Sequence, residues 1–229
     1  MTVMSGADPY DELAFFGAVT ASLSHQINNA LTIAAELNGL TDDLLAGSAG
    51  KGPAPVERLK AVAERIASNL DRGTQYLRVL NQFAHSADGP SDICDLAAAT
   101  ALVEAITRRF FELRKARLEV ILPDDAGSLG ARRFDVLHAV SLGLQAALAA
   151  GGDGCAVRLE LEAQPRRVRV LISVPVAGAV PGESQNLLEG ARRACAKLGA
   201  SLAETGGGGF GVRIELPREM APCAGTEQR

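Results

Sequence analysis

The stretch Ser22-Leu23-Ser24-His25-Gln26-Ile27-Asn28-Asn29 sets one imidazole among hydroxyl and amide side chains within a helical pattern. Leu23 and Ile27 fall on the apolar seam of that helix. Two residues past Leu23 the chain has turned by about 200°, so His25 points out of the seam toward water. An imidazole in water is substantially neutral at cellular pH, and its free nitrogen is then a nucleophile. Such a ring can accept a phosphoryl group in line from an acyl phosphate, with a metal on the donor's side neutralising charge. Asn29 lies one turn on and shares the face of His25, and Thr32 and Glu36 continue that stripe.

Other groups that could do chemistry read as structural. His85 closes a helix, where a cation suits the dipole, and His138 has no second histidine at helical spacing. The four cysteines, Cys94, Cys155, Cys195 and Cys223, form no CxxC pair and no metal-ligand spacing, so they read as small reduced thiols. The run Thr205–Gly211 is rich in glycine, but it leads into a strand and holds no lysine. A phosphate loop needs a helix after it, so these glycines read as a hairpin turn.

Two long helices must carry His25. The first opens with Asp8 as N-cap and Pro9 at the first helical position. Its apolar positions run Phe16, Leu23, Ala30, Leu37, Leu44 at sevens, with Ile27 and Ala34 between. A glycine-rich loop from Gly47 to Pro55 follows. The second helix reads Leu59, Ala63, Ile66, Leu70, Gly73, Leu77, Leu80, Ala84, alternating steps of four and three. Folding about Gly50 brings His25 level with Tyr76. A lone hairpin leaves part of its stripe uncovered, and a second copy covers it as a four-helix bundle. The expectation is a homodimer.

After a turn-rich linker at Ser86–Asp92 the periodicity changes. Asp95 caps a helix to Arg117, and Leu118–Leu122 is a strand. A helix over 132–150, strands at 155–161 and Val168–Val174, and a helix over 185–198 follow. A hairpin of Ser201–Thr205 with Phe210–Leu216 closes the order αβαββαββ, an α/β sandwich. The expected division is a hairpin over 8–86, an α/β domain over 93–217 and a disordered tail over 218–229.

Net charge is -4, aromatics are 4% and tryptophan is absent, which argues against a nucleic-acid binder. The arginine doublets at 108–109, 132–133, 166–167 and 192–193 read as solvated edges. No basic segment followed by an apolar run and cleavage site is present, and the apolar stretch Phe134–Ala150 reads as too short to span a bilayer. The expectation is a cytoplasmic protein with no membrane contact.

Ser24-His25-Gln26-Ile27-Asn28-Asn29 resembles the H-box of sensor histidine kinases, His-Glu-Ile-Asn-Asn-Pro in its common form. The resemblance extends over about residues 11–217: H-box helix, loop, second heptad helix, short linker and αβαββαββ body. It implies a dimerisation and phosphotransfer hairpin followed by a catalytic domain of the kinase type, with His25 as phosphoacceptor. In family members that also dephosphorylate their partner, the residue four past the histidine positions water, a role that Asn29 would inherit. The stripe of His25, Asn29, Thr32 and Glu36 is then the docking face for a response-regulator receiver domain, with Arg72 and Gln75 of the second helix beside it.

The departures from the family are specific. Its general base after the histidine is an acid, whereas Gln26 cannot take a proton. On the helix Val136–Ala149, the asparagines that hold nucleotide phosphates and metal correspond to Ser141 and Gln145. The adenine-binding aspartate is missing from Ser173-Val174-Pro175-Val176-Ala177-Gly178, and the step from Gly178 to a helix near Gln185 leaves no room for a nucleotide lid. The resemblance thus implies a phosphotransferase that shuttles a phosphoryl group between receiver aspartates through His25. It needs no ATP and no cofactor of its own, because the receiver brings Mg2+. The alternatives are a non-catalytic pseudokinase that scaffolds or inhibits a regulator or kinase, and a kinase-like phosphatase or autokinase.

Overall fold

The computed structural model describes residues 9–47, 56–88, 93–176, 181–205 and 209–218. Asp8, the interhelical loop at 48–55, the linker residues 89–92 and the tail beyond 218 lie outside them, as do 177–180 and 206–208. The chain divides into two compact units, one of residues 16–82 and one of residues 1–15 with 83–229.

The first of these is a helical hairpin, formed by α1 (Pro9–Gly47) and α2 (Val56–Ser86). Val19, Leu23, Ala30, Ala34 and Leu37 of α1 are buried, with Val62 and Gly73 of α2. A β-carbon on Gly73 would lie 3.6 Å from that of Ala30, so two small residues let the helices approach closely. The seam is rotated from the expected one. Gln26 is buried, whereas Ile27 is only half-buried. On α2, Ala63, Leu70 and Leu77 face out, seven residues apart.

The other unit is an α/β body. Its sheet runs β2-β4-β5-β7-β6, with β2 (Arg117–Ile121) parallel to β4 (Ala156–Ala163) and the remaining pairs antiparallel. β5 (Arg167–Val174) is its central strand, flanked by β4 and β7 (Phe210–Pro217), and β6 (Ser201–Glu204) closes the far side. Val157, Leu159 and Leu161 alternate inward with Val168, Val170, Ile172 and Val174 and with Val212, Ile214 and Leu216. Each such aliphatic contributes about 1.5–3 kcal/mol through burial. Against this face pack α3 (Leu96–Leu113) and α4 (Arg133–Gly151), and α5 (Gly182–Lys197) lies against α4.

Asp95 caps α3 as expected, accepting from the Ala98 N–H at 2.8 Å. The helix ends at Leu113, earlier than Arg117, because Lys115 enters the left-handed region at φ 51° and turns the chain into β2. A short ladder of β1 (Cys94–Asp95) with β3 (Ser128–Leu129) is added to the expected order. The α4 helix is long and apolar enough to cross a membrane by length and composition, which corrects the expectation for Phe134–Ala150. Most of it is buried inside the body, where it is the central helix.

The first turns of α1 and the last of α2 belong to this body. Phe15 packs edge-on against Phe83 and Phe134, with centroids 5.6 Å away in each case. Glu12 accepts from Arg132 at 2.9 Å and from Lys197. Burial opposes ionisation of this carboxyl, but the bonds from Lys197 and Arg132 outweigh it and hold Glu12 below the ordinary carboxylate range. Arg132 also binds Asp135 at 2.6 Å and lies over the Phe134 ring. It is therefore an internal clamp, and the reading of its doublet as a solvated edge is corrected. Two paired charges and a ring satisfy a guanidinium that is only one-third exposed.

The remaining thiols agree with a structural role. Burial pushes the Cys94 thiol up to about 11 and that of Cys195 up to about 12, and both stay free. Cys223 lies outside the described residues.

Candidate functional site

His25 is exposed on α1, whose Leu23 is buried two residues earlier. Helical phase alone produces this contrast. The Asn29 amide nitrogen lies 3.2 Å from His25 Nε2. That nitrogen has no lone pair to offer, so it donates and the ring nitrogen accepts. Of the residues singled out by sequence, these two are brought into direct contact.

Thr32 and Glu36 are exposed further along the same helix. Arg72 and Gln75 are exposed on α2, and Gly73 between them packs on Ala30, which sets them at the height of the Asn28–Thr32 turn. Among the described residues no hydrogen bond or ion pair joins Thr32, Glu36, Arg72 or Gln75 to His25. Gln26 turns the other way: it is 8% exposed, and its amide donates to the Ser22 carbonyl at 3.5 Å. A carboxylate at this buried place would lose water without gaining a partner. A glutamine keeps its amide nitrogen engaged along the helix.

On the body, Ser141 of α4 is fully buried and its hydroxyl has no hydrogen-bond partner, while Gln145 is half-buried. α5 lies directly across this part of α4. Ser184 donates to the Ala146 carbonyl at 2.8 Å, and Leu142 comes within 3.3 Å of where a β-carbon on Gly190 would stand. α5 begins at Gly182, earlier than the expected Gln185, and only residues 175–181 separate it from β5. Sequence reasoning missed the role of Ser184 and Gly190 in this contact. The signal was available in their types, because a small residue and a hydroxyl permit close helix approach.

A cavity of about 440 Å³ opens elsewhere, on the solvent face of the sheet between Arg158, Ser173, Thr205 and Phe210. Arg158 is already paired there with Glu119 at 3.1 Å. Among the described residues no cluster of histidine, cysteine and carboxylates could hold a metal ion. His85 pairs with Asp88 at 2.7 Å, and His138 is buried in α4, so neither sits with His25.

No family model and no curated protein matches the chain. Solved structures do. A histidine kinase from Burkholderia phymatum is similar over 89% of this chain and 97% of its own, at 13% identity and a TM-score of 0.50. The Acinetobacter baumannii histidine kinase AdeS covers 86% of this chain at 12% identity and a TM-score of 0.48. The histidine kinase ThkA, solved in complex with the response regulator TrrA, covers 93% at 15% identity and 0.48. The first likeness spans both units, so the fold is that of a histidine kinase: a helical hairpin followed by an α/β catalytic-type domain.

Proposed function

We propose that this chain is a dimeric histidine phosphotransfer protein of a two-component phosphorelay, carrying its phosphoryl group on His25 and binding no ATP. The observation that carries the reading is the exposed imidazole on α1, with Nε2 already engaged as an acceptor by Asn29. An acyl phosphate on a receiver aspartate has a good leaving group. When Nε2 attacks, the N–P bond forms, the P–O bond breaks, and its electron pair stays on the aspartate carboxylate. The receiver supplies the Mg2+ that neutralises the transferred group, so this chain needs no acidic residue beside its histidine. The reverse transfer passes the group to a second receiver.

The nucleotide that histidine-kinase bodies bind does not fit this one. Ser141, which the resemblance matches to the first phosphate-side asparagine, is sealed from solvent, and α5 packs against α4 beside it. Pro175 and Val176 follow β5 in place of an acid that could select adenine. Supporting the dimer are Ala63, Leu70 and Leu77, an apolar row on α2 that the single chain leaves open.

Incubation with a 32P-labelled receiver tests the reading. Label is expected on the wild type and lost in His25→Ala. A wild type that takes no label from any receiver encoded with it, yet inhibits a kinase or regulator equally well as His25→Ala, would instead be a pseudokinase scaffold. Label from ATP in the absence of a receiver would make it an autokinase.

A further inference from the structure

A neutral imidazole holds its proton on Nδ1 or on Nε2, and only the other nitrogen can accept a hydrogen bond or attack phosphorus. The Asn29 amide nitrogen approaches His25 Nε2 to 3.2 Å. An amide N–H donates and never accepts, so this bond exists only when Nε2 carries the lone pair and Nδ1 the proton. We propose that Asn29 is a positioning residue that holds His25 in the Nδ1–H tautomer and so keeps Nε2 as the attacking nitrogen. The inference deepens the phosphotransfer reading and takes its purpose from it, although the tautomer itself depends on no partner.

A second observation leaves this task to Asn29. An acceptor on Nδ1 would select the same tautomer from the other side of the ring. Gln26 is the adjacent residue that could have supplied one, but its side chain is buried and bonded to the Ser22 carbonyl. Selection by donation to Nε2 replaces selection by acceptance from Nδ1.

The geometry also orders the events of transfer. Asn29 must yield as phosphorus approaches, because the N–P bond uses the lone pair that its N–H occupied. The P–O bond to the donor aspartate breaks with its electron pair left on the carboxylate. The ring becomes a phosphoimidazolium, whose Nδ1 proton passes to water. The displaced amide, one helical turn away, can then donate to a phosphoryl oxygen.

Long-range 1H–15N correlation on the full-length 15N-labelled protein reads the tautomer directly at alkaline pH, where imidazoles are neutral; His25→Ala assigns the signal. The wild type should show a protonated Nδ1 and an unprotonated Nε2. Asn29→Asp offers only acceptor oxygens and should move the proton to Nε2, whereas Asn29→Ala should leave a mixture. Both substitutions are at an exposed helix position, and circular dichroism checks that the fold persists. Phosphoramidate, a small phosphoryl donor that needs no receiver, should label His25 more slowly in Asn29→Asp than in the wild type. A wild-type ring protonated on Nε2 overturns the proposal, as does an unchanged tautomer or labelling rate in Asn29→Asp. If the tautomer is as stated but no receiver ever labels His25, the phosphorelay reading fails and this one stands.

Discussion

Phe15 of α1 stacks on His138 of α4, with ring centroids 4.6 Å apart and planes only 19° from parallel. A phenyl face against an imidazole excludes water from both, and Phe83 and Phe134 close the cluster around them. The second helix thus ends, and the first begins, inside the core of the α/β body. His138 is a packing residue of that core.

Phe83 is wholly buried at this point. Replacing it by alanine removes a ring from a cluster of rings, and Phe83→Ala should cost about 3–5 kcal/mol. Urea unfolding followed by circular dichroism measures the loss. A cost near zero would show that the cluster is not a packed core.

The carboxyl of Glu12 is held below its ordinary range by Lys197 and Arg132. A group depressed in the folded state adds stability above its unfolded value and loses it as pH falls through its folded value. The stability difference between wild type and Glu12→Gln should therefore be largest near neutral pH and shrink on acidification. Urea midpoints across an acid series give that difference, and one that grows toward low pH would refute the pairing.

Ser141 hides a hydroxyl that finds no partner. A buried, unmatched polar group costs stability, so Ser141→Ala should be neutral or raise stability by about 1 kcal/mol. Titration calorimetry with ATP and magnesium should give no binding heat in either protein. Binding that Ser141→Ala abolishes would reveal a working nucleotide site.

Leu70 and Leu77 are each nearly half exposed on α2. If the proposed dimer forms along this row, charges on it should prevent a second hairpin from covering it, and Leu70→Asp with Leu77→Asp should sediment as single chains where the wild type sediments as a dimer. An unchanged mass would move the interface elsewhere.

Much of this arrangement is legible in the sequence because it follows from period. The outward turn of His25, the buried Leu23 and the alternation of β4, β5 and β7 need only the pitch of a helix or the pleat of a strand. Phase is harder where two apolar residues adjoin. Phe15 and Phe16 fit a seam equally well by type, and the body takes Phe15. Gln26 reads as surface by polarity, but its amide can satisfy itself on the Ser22 carbonyl and so tolerates burial. The two-residue strands β1 and β3 are too short to have a period at all. The bond between Glu12 and Lys197 joins distant parts of the chain, and no local rule foretells it.

The sheet has an outermost strand, β2, hydrogen-bonded on one side only. Along it Arg117 and Glu119 are exposed and alternate with the half-covered Leu118 and Val120. Without those charges the rim would be a flat oily ribbon with unpaired amides, ready to zip onto the same rim of another molecule. The hydration that two charged side chains would have to give up thus guards the protein against fibrous self-association when it is concentrated.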